Sequence, residues 1–304
     1  ISERRVIQEI KNMKQCIDQK YFPKRFPAQH QDCQPGIESW MEPLPVFDDL
    51  CYRGSGKLRG KTALITGGDS GIGRAAAVAF VKEGADVAIA YLNERSDAEM
   101  TKQYIENMGG NCLLLHGDVR QECVCRQIVH ETASKFGKIN ILVNNAGVQF
   151  PQQRIQDISE EQLYTTFEVN VFSMFYFVKA VLDHGVGCES IINTASVTAY
   201  QGETDLLDYS ATKGAIVSFT RALSKSLAEK NIRVNAVAPG PIWTPLIPAS
   251  FSAEKVARFG QDVPMRRAGQ PCELAPAYVY LASGDSSYVT GQVIHVNGGT
   301  ITGS

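Results

Sequence analysis

"TGGDSGIGRAAAVAF", Thr66 to Phe80, is the stretch on which the reading of this chain turns. A short apolar run, "TALIT" at 62–66, leads into it, and an alanine-rich helical stretch leads out. Glycines stand at 67, 68, 71 and 73. A strand, a tight glycine turn and a helix start bring backbone N–H groups and the positive end of a helix beside a phosphate. Gly67 permits the turn, Gly71 allows close approach of a ligand, and Gly73 lets the helix pack on the strand. Because the cluster follows the first strand of an α/β pattern, a dinucleotide pyrophosphate is its expected occupant.

That pattern runs through the rest of the chain. Further apolar runs are "DVAIAY" (86–91), "NCLLLH" (111–116), "INILVNN" (139–145), "SIINTAS" (190–196), "IRVNAVA" (232–238) and "QVIHVN" (292–297). Strands covered by helices on both faces read as continuous apolar runs. Seven of them, with helix-length segments between, predict an α/β fold with a Rossmann-type, doubly wound, parallel seven-stranded sheet. Residues 58–304 form a single dinucleotide-binding catalytic domain in this reading. Residues 1–57 form an N-terminal extension that is not an independent domain.

The extension begins with a possible short helix at residues 5–20. "YFPKRFPAQHQDCQPGIESWMEPLPVFDD" follows and carries five prolines. Proline fixes φ and disfavours helix in the residue before it, so an extended arm is expected. Phe22, Phe26, Ile37, Trp40, Met41 and Phe47 make it too apolar for a solvated tail. Residues 20–50 are expected to be ordered against the main domain or a neighbouring subunit. The arm should stabilise the fold or assembly without supplying catalytic groups.

A formal net charge of −2 over 304 residues argues against a nucleic-acid partner. No apolar run is long enough to span a bilayer. The N-terminal "ISERRVIQEIKNMKQC" lacks the apolar middle of a secretory signal and begins without Met. A cytoplasmic location is expected. The eight cysteines (16, 33, 51, 112, 123, 125, 188 and 272) include no C-x-x-C pair. Cys123, Cys125 and His130, or His184 and Cys188, fall short of a four-ligand metal set. Free, reduced thiols and no metal are expected.

"DYSATKGAI" (208–216) places Tyr209 and Lys213 four residues apart. On a helix the two share a face, about 6 Å apart. A free tyrosine titrates near ~10, and a nearby ammonium favours the phenolate and lowers that value. The pair is therefore a candidate acid/base centre.

Taken together, T-G-x-x-x-G-I-G, Asn144-Asn145-Ala146-Gly147, Asp118 in "HGDV", Asn170 in "FEVNVFS", Ser196 in "INTASVTAY", Tyr209-x-x-x-Lys213, Pro239-Gly240 and "WTP" at 243–245 occur in order across residues 58–300. This succession resembles the short-chain dehydrogenase/reductase family. The arm, with its "QPG" and "MEPLP", resembles a bacterial subgroup of general-stress oxidoreductases and aldehyde reductases. The resemblance implies a catalytic set of Asn170, Ser196, Tyr209 and Lys213. It implies dinucleotide contacts from Gly67, Ser70, Gly71, Ile72, Gly73, Asp118, Val119, Asn145, Ala146, Gly147, Tyr209, Lys213, Pro239, Gly240, Ile242 and Thr244. Tyr209 would pass a proton to or from the substrate oxygen, and Ser196 would stabilise charge there. Lys213 would hold the nicotinamide ribose, and Asn170 a water. A homotetramer is implied, with the helices of residues 163–182 and 212–227 pairing across a two-fold axis.

The cofactor reading leans to NADP(H), with NAD(H) as the alternative. The end of the second strand offers Tyr91 and Asn93 rather than an acid, with Arg95 or Arg74 available to a 2′-phosphate; Glu94 points the other way. Residues 241–265 are expected to form a substrate lid, with Trp243, Leu246 and Ile247 on one wall and Gln149, Phe150 and Tyr200 opposite. The substrate is expected to be a small aldehyde, ketone or secondary alcohol. A catalytically silent cofactor-binding protein on the same fold is the rival reading.

Overall fold

All seven apolar runs are strands: β1 Thr62–Thr66, β2 Asp86–Tyr91, β3 Cys112–His116, β4 Ile141–Asn144, β5 Ser190–Thr194, β6 Arg233–Pro239 and β7 Val293–Val296. The computed structural model describes residues 22–185 and 187–301. The helix expected at residues 5–20 lies outside them. Every strand pairing is parallel, in the order β3-β2-β1-β4-β5-β6-β7. The direction of winding reverses between β1 and β4. A crevice opens beyond the carboxyl ends of strands at such a point.

The period-2 alternation of a strand sorts its side chains between two helical layers. Ala63 and Ile65 of β1 join α1 (Gly71–Lys82) and α9 (Pro271–Ala282) in one core. Leu64 joins the other core, with α3 (Glu122–Phe136) and α5 (Ser173–His184). The remaining helices are α2 (Arg95–Asn107), α4 (Glu160–Phe167), α6 (Thr198–Gln201), α7 (Leu207–Leu227) and α8 (Ala253–Ala257). Local chemistry sets their ends. Ser159 caps α4 by accepting the Gln162 N–H. Gln270 and Glu273 form a reciprocal capping box on α9, with Pro271 in its first turn. Gly137 ends α3 at φ 77°, where a Cβ would be strained.

The arm lies along the main domain. Phe22, Phe26 and Met41 are buried, and Phe26 stacks on Trp243 at 3.8 Å between ring centroids. Phe47 packs edge-on against Tyr104 at 5.0 Å. The main chain adds hydrogen bonds from Gln31 N to Pro248 O (2.9 Å) and from Cys272 N to Val46 O (3.0 Å). Trp40 departs from the expectation, being 65% exposed. A 3₁₀ turn at Glu38–Trp40 buries Glu38 and leaves the tryptophan outside.

Cys33, Cys112, Cys123, Cys125, Cys188 and Cys272 are free thiols. Burial pushes Cys112, Cys125, Cys188 and Cys272 up to about 12, so these four are poor nucleophiles at neutral pH. The expectation of free, reduced thiols is corrected at Cys51, which is disulfide-bonded. Spacing along the chain does not reveal which cysteines the fold brings close. Among the described residues, no helix is long and apolar enough to cross a membrane.

Candidate active site

The glycine turn and the end of β4 lock together. The Thr66 hydroxyl accepts the N–H groups of Asn145 (2.9 Å) and Ala146 (3.0 Å). The Asn145 amide donates to the carbonyls of Thr66 (3.1 Å) and Gly67 (3.0 Å). Gly67 and Gly71 take φ of 61° and 50°, which L side chains rarely adopt. A Cβ on Gly73 would collide with the Gly67 carbonyl. The expected packing role of Gly73 has that cause.

A cleft of about 1200 Å³ opens over this turn. Gly67, Ser70, Gly71, Ile72, Asp118, Val119, Asn145, Ala146, Gly147, Ser196, Tyr209, Lys213, Pro239, Gly240, Ile242 and Thr244 all line it. Gly73 and Asn170 stand behind its wall. Thr244 packs on Gly71, its methyl 3.0 Å from where a Cβ would stand there. Asp118 is ion-paired to Arg120 at 2.7 Å, which holds its carboxyl below the usual range.

Tyr209 and Lys213 are both buried on α7. The Lys213 ammonium lies 5.3 Å from the centre of the Tyr209 ring and donates to Thr194 O at 2.8 Å. Ser196 Oγ accepts from the Thr198 N–H and hydroxyl, each at 3.1 Å. Asn170 sits in a π-helical stretch, Glu168–Phe172, that joins α4 to α5. One extra residue in the turn aims its amide inward. Its Oδ1 accepts the Val148 N–H at 2.8 Å, while Nδ2 donates to Val148 O at 2.9 Å and Thr212 Oγ1 at 3.1 Å. The Thr212 hydroxyl donates to Tyr209 O at 2.6 Å. Asn170 thus ties the loop after β4 to the helix that carries the tyrosine.

Burial changes the expected electrostatics. Desolvation pushes the Tyr209 phenol up to about 12, against a lowering hydrogen bond from Ser196. Desolvation also pulls Lys213 down to about 7. The sequence reading had the ammonium lowering the phenol. Here burial dominates, because a lysine near 7 is only partly charged at neutral pH.

The 2′-phosphate partners need correction. Arg74 is buried, ion-paired to Glu38 of the arm, and bonded through Nε to Asp69 O at 2.9 Å. Arg95 is exposed and paired with Glu99 one helical turn on. Glu94 and Asp69 line the cleft instead. Burial, with Glu94 nearby, raises Asp69 to about 7. Glu94 Oε1 is buried without a hydrogen-bond partner. Sequence reading missed Asp69, although it lies inside the quoted turn.

On the substrate side, Gln149, Phe150, Leu246 and Ile247 line the cleft as expected, and Trp243 and Tyr200 do not. Trp243 is a core residue whose Nε1 donates to Pro43 O at 2.8 Å. Tyr200 packs edge-on against His295 at 4.5 Å. Gln34, Pro35 and Gly36 of the arm line the cleft. Nothing local in the sequence marked them.

The chain belongs to the short-chain dehydrogenase/reductase family of oxidoreductases: the family model described as Enoyl-(Acyl carrier protein) reductase matches residues 67–301. It is 56% identical over 278 residues to General stress protein 39 of Bacillus subtilis (strain 168), covering 91% of this chain and 97% of that protein. It is 51% identical over 280 residues to the chloroplastic NADPH-dependent aldehyde reductase 1 of Arabidopsis thaliana, covering 90% and 97%. Its fold is similar to that of 3-ketoacyl-(acyl-carrier-protein) reductase from Brucella melitensis complexed with NADH. That match has a TM-score of 0.72 and 36% identity over 80% of this chain and 98% of the other.

Proposed function

We propose that this protein transfers a hydride between a nicotinamide dinucleotide and a small aldehyde, ketone or secondary alcohol, with Tyr209 as general acid/base. One observation carries the reading: Ser196, Tyr209 and Lys213 line the same cleft as the glycine turn. The residues fit the cofactor. A Cβ at Gly73 would collide with the Gly67 carbonyl and one at Gly71 would crowd Thr244 at a strained φ, and α1 begins there with N–H groups that no helical carbonyl reaches. Ser70 and Ile72, with close approach over Gly71, would hold the pyrophosphate, Asp118 and Val119 the adenine, and Lys213 the nicotinamide ribose. When bound, the nicotinamide supplies or accepts the hydride.

In reduction the Tyr209 O–H donates its proton to the substrate oxygen, and Ser196 stabilises charge as it develops there. Asn170 holds Val148 and Thr212 in place and orders a water toward Lys213. NADP(H) is the reading supported by the uncharged Tyr91 and Asn93 at the cleft and by a relative named as NADPH-dependent. NAD(H) is supported by Asp69 and Glu94 at the cleft, whose carboxyls can accept ribose hydroxyls and give a 2′-phosphate no positive partner.

Nicotinamide absorbance during a screen of carbonyls and alcohols, run with each dinucleotide, tests the proposal. Dinucleotide binding without turnover on any substrate would instead identify a binding or regulatory protein. The phenol titrating near 12 sets a direction. At neutral pH Tyr209 carries its proton, as reduction requires. Oxidation needs the phenolate, whose fraction grows as pH rises. The Tyr209 proton that reduction needs therefore stays in place from about pH 6 to 8, while alcohol oxidation is expected to climb from about pH 8 through pH 10. An oxidation rate that falls over that interval sinks the assignment.

The same reading makes the protein a homotetramer. Leu163, Tyr164, Phe172 and Phe175 of the α4–α5 run are exposed, a grouping of large apolar residues that a second copy would cover. Light scattering at micromolar concentration is expected to give a tetramer, and a monomer would refute it.

A further inference from the structure

The arm reaches the cofactor side of the cleft as well as its substrate side. Glu38 is 2% exposed, and its carboxylate bridges two groups of the glycine turn. Oε2 accepts the Gly71 N–H at 2.7 Å, and Oε1 accepts from Arg74 Nη1 in a buried ion pair. The Glu38 N–H donates to Asp97 Oδ2 at 2.7 Å.

Arg74 carries this hold into the turn. Its Nε donates to Asp69 O (2.9 Å) and to Thr101 Oγ1 (2.6 Å), and its Nη2 to Asp97 O (3.0 Å). The Thr101 hydroxyl donates to the same Asp69 carbonyl at 2.7 Å. The ring of Phe47, also from the arm, lies 5.1 Å from the Arg74 guanidinium. Two arm residues therefore close over the arginine that fixes the turn from behind.

The turn needs such a hold. Glycine loses more conformational freedom on ordering than any other residue, and Gly67, Gly68 and Gly71 lie together here. The N–H groups of Gly71, Ile72 and Gly73 precede the first intrahelical hydrogen bond, which runs from Arg74 N to Ser70 O. Glu38 takes the first of the three, and this fixes the peptide planes that aim the next two. An anion arriving at the helix start then meets donors already in place.

We propose that Glu38 is a positioning residue of the dinucleotide site, holding the glycine turn in the shape that receives the pyrophosphate. The proposal rests on the dinucleotide reading above. It gives the arm a positioning role at the site and no catalytic group.

Glu38→Gln keeps the size of the side chain and one acceptor oxygen. It removes the charge opposite Arg74 and sets an amide N–H against the guanidinium. Titration of the full-length protein with NADPH and with NADH, followed by nicotinamide fluorescence, is expected to show Kd raised about tenfold for the dinucleotide that the wild type prefers. Turnover at saturating dinucleotide should change by less than about threefold, since no atom of Glu38 faces the reacting centre. A folded variant with unchanged Kd overturns the proposal, as does a fall in turnover with unchanged Kd. Should the variant not fold, the wild type still decides. Coupling is reciprocal, so bound dinucleotide must slow hydrogen exchange at the amides of residues 38–41. Unchanged exchange there overturns the proposal. A wild-type protein that binds neither dinucleotide overturns the underlying reading, and this one with it.

Discussion

Tyr209→Phe is expected to lower turnover by roughly 10³-fold while dinucleotide affinity stays within about twofold, because general acid–base transfer contributes about 10²–10⁴ to rate. Only the hydroxyl is removed. The ring belongs to an apolar cluster with Phe26, Met41, Leu206 and Trp243, and phenylalanine preserves that packing. Lys213 keeps its hydrogen bond to Thr194 O, so the group proposed to hold the ribose stays where it is. Ser196 still offers a donor to the substrate oxygen but cannot replace the transferred proton. Pre-steady-state and steady-state rates with saturating dinucleotide check this. Turnover within tenfold of wild type would show that another group moves the proton.

Trp243→Ala should produce the largest loss of stability. The indole is fully buried, stacks on Phe26 and donates to Pro43 O. Replacing a buried tryptophan with alanine costs about 3–5 kcal/mol, cavity included. A chain of this size loses about 2 °C in Tm per kcal/mol, so the midpoint should drop by roughly 6–10 °C. Trp40→Ala is the control. Its ring is exposed, and surface substitutions change stability by about ±0.5 kcal/mol. Differential scanning calorimetry of the two variants separates them, and equal midpoints would mean that the arm is not seated on Trp243 as described.

These two tryptophans mark the limit of what could be read in advance. Both stand in loop sequence beside prolines, and both looked like apolar surface with a use. The sequence pattern favoured Trp40 for burial and Trp243 for a substrate wall. The fold reverses this, with Trp40 left outside by a 3₁₀ turn and Trp243 inside the seam between the arm and residues 241–265. Arg74 is a similar case. Its place in the glycine turn suggested phosphate binding, but a carboxylate 36 residues earlier claims it.

The sequence by itself determined the parallel sheet and the strand that starts it. It also determined the glycine turn, the family to which the chain belongs, and the helical face shared by Tyr209 and Lys213. The sheet, the turn and the shared helical face follow from periodicity and spacing over a few residues, which short-range sterics and hydrogen bonding enforce whatever the surroundings, while the family follows from the resemblance of the motif succession across residues 58–300. Tertiary structure alone decided which charges pair, which rings are buried, and how Tyr209 and Lys213 titrate. Those properties depend on desolvation and on contacts between distant segments, such as Glu38 with Gly71 or Phe26 with Trp243. Local pattern carries no information about where such segments meet.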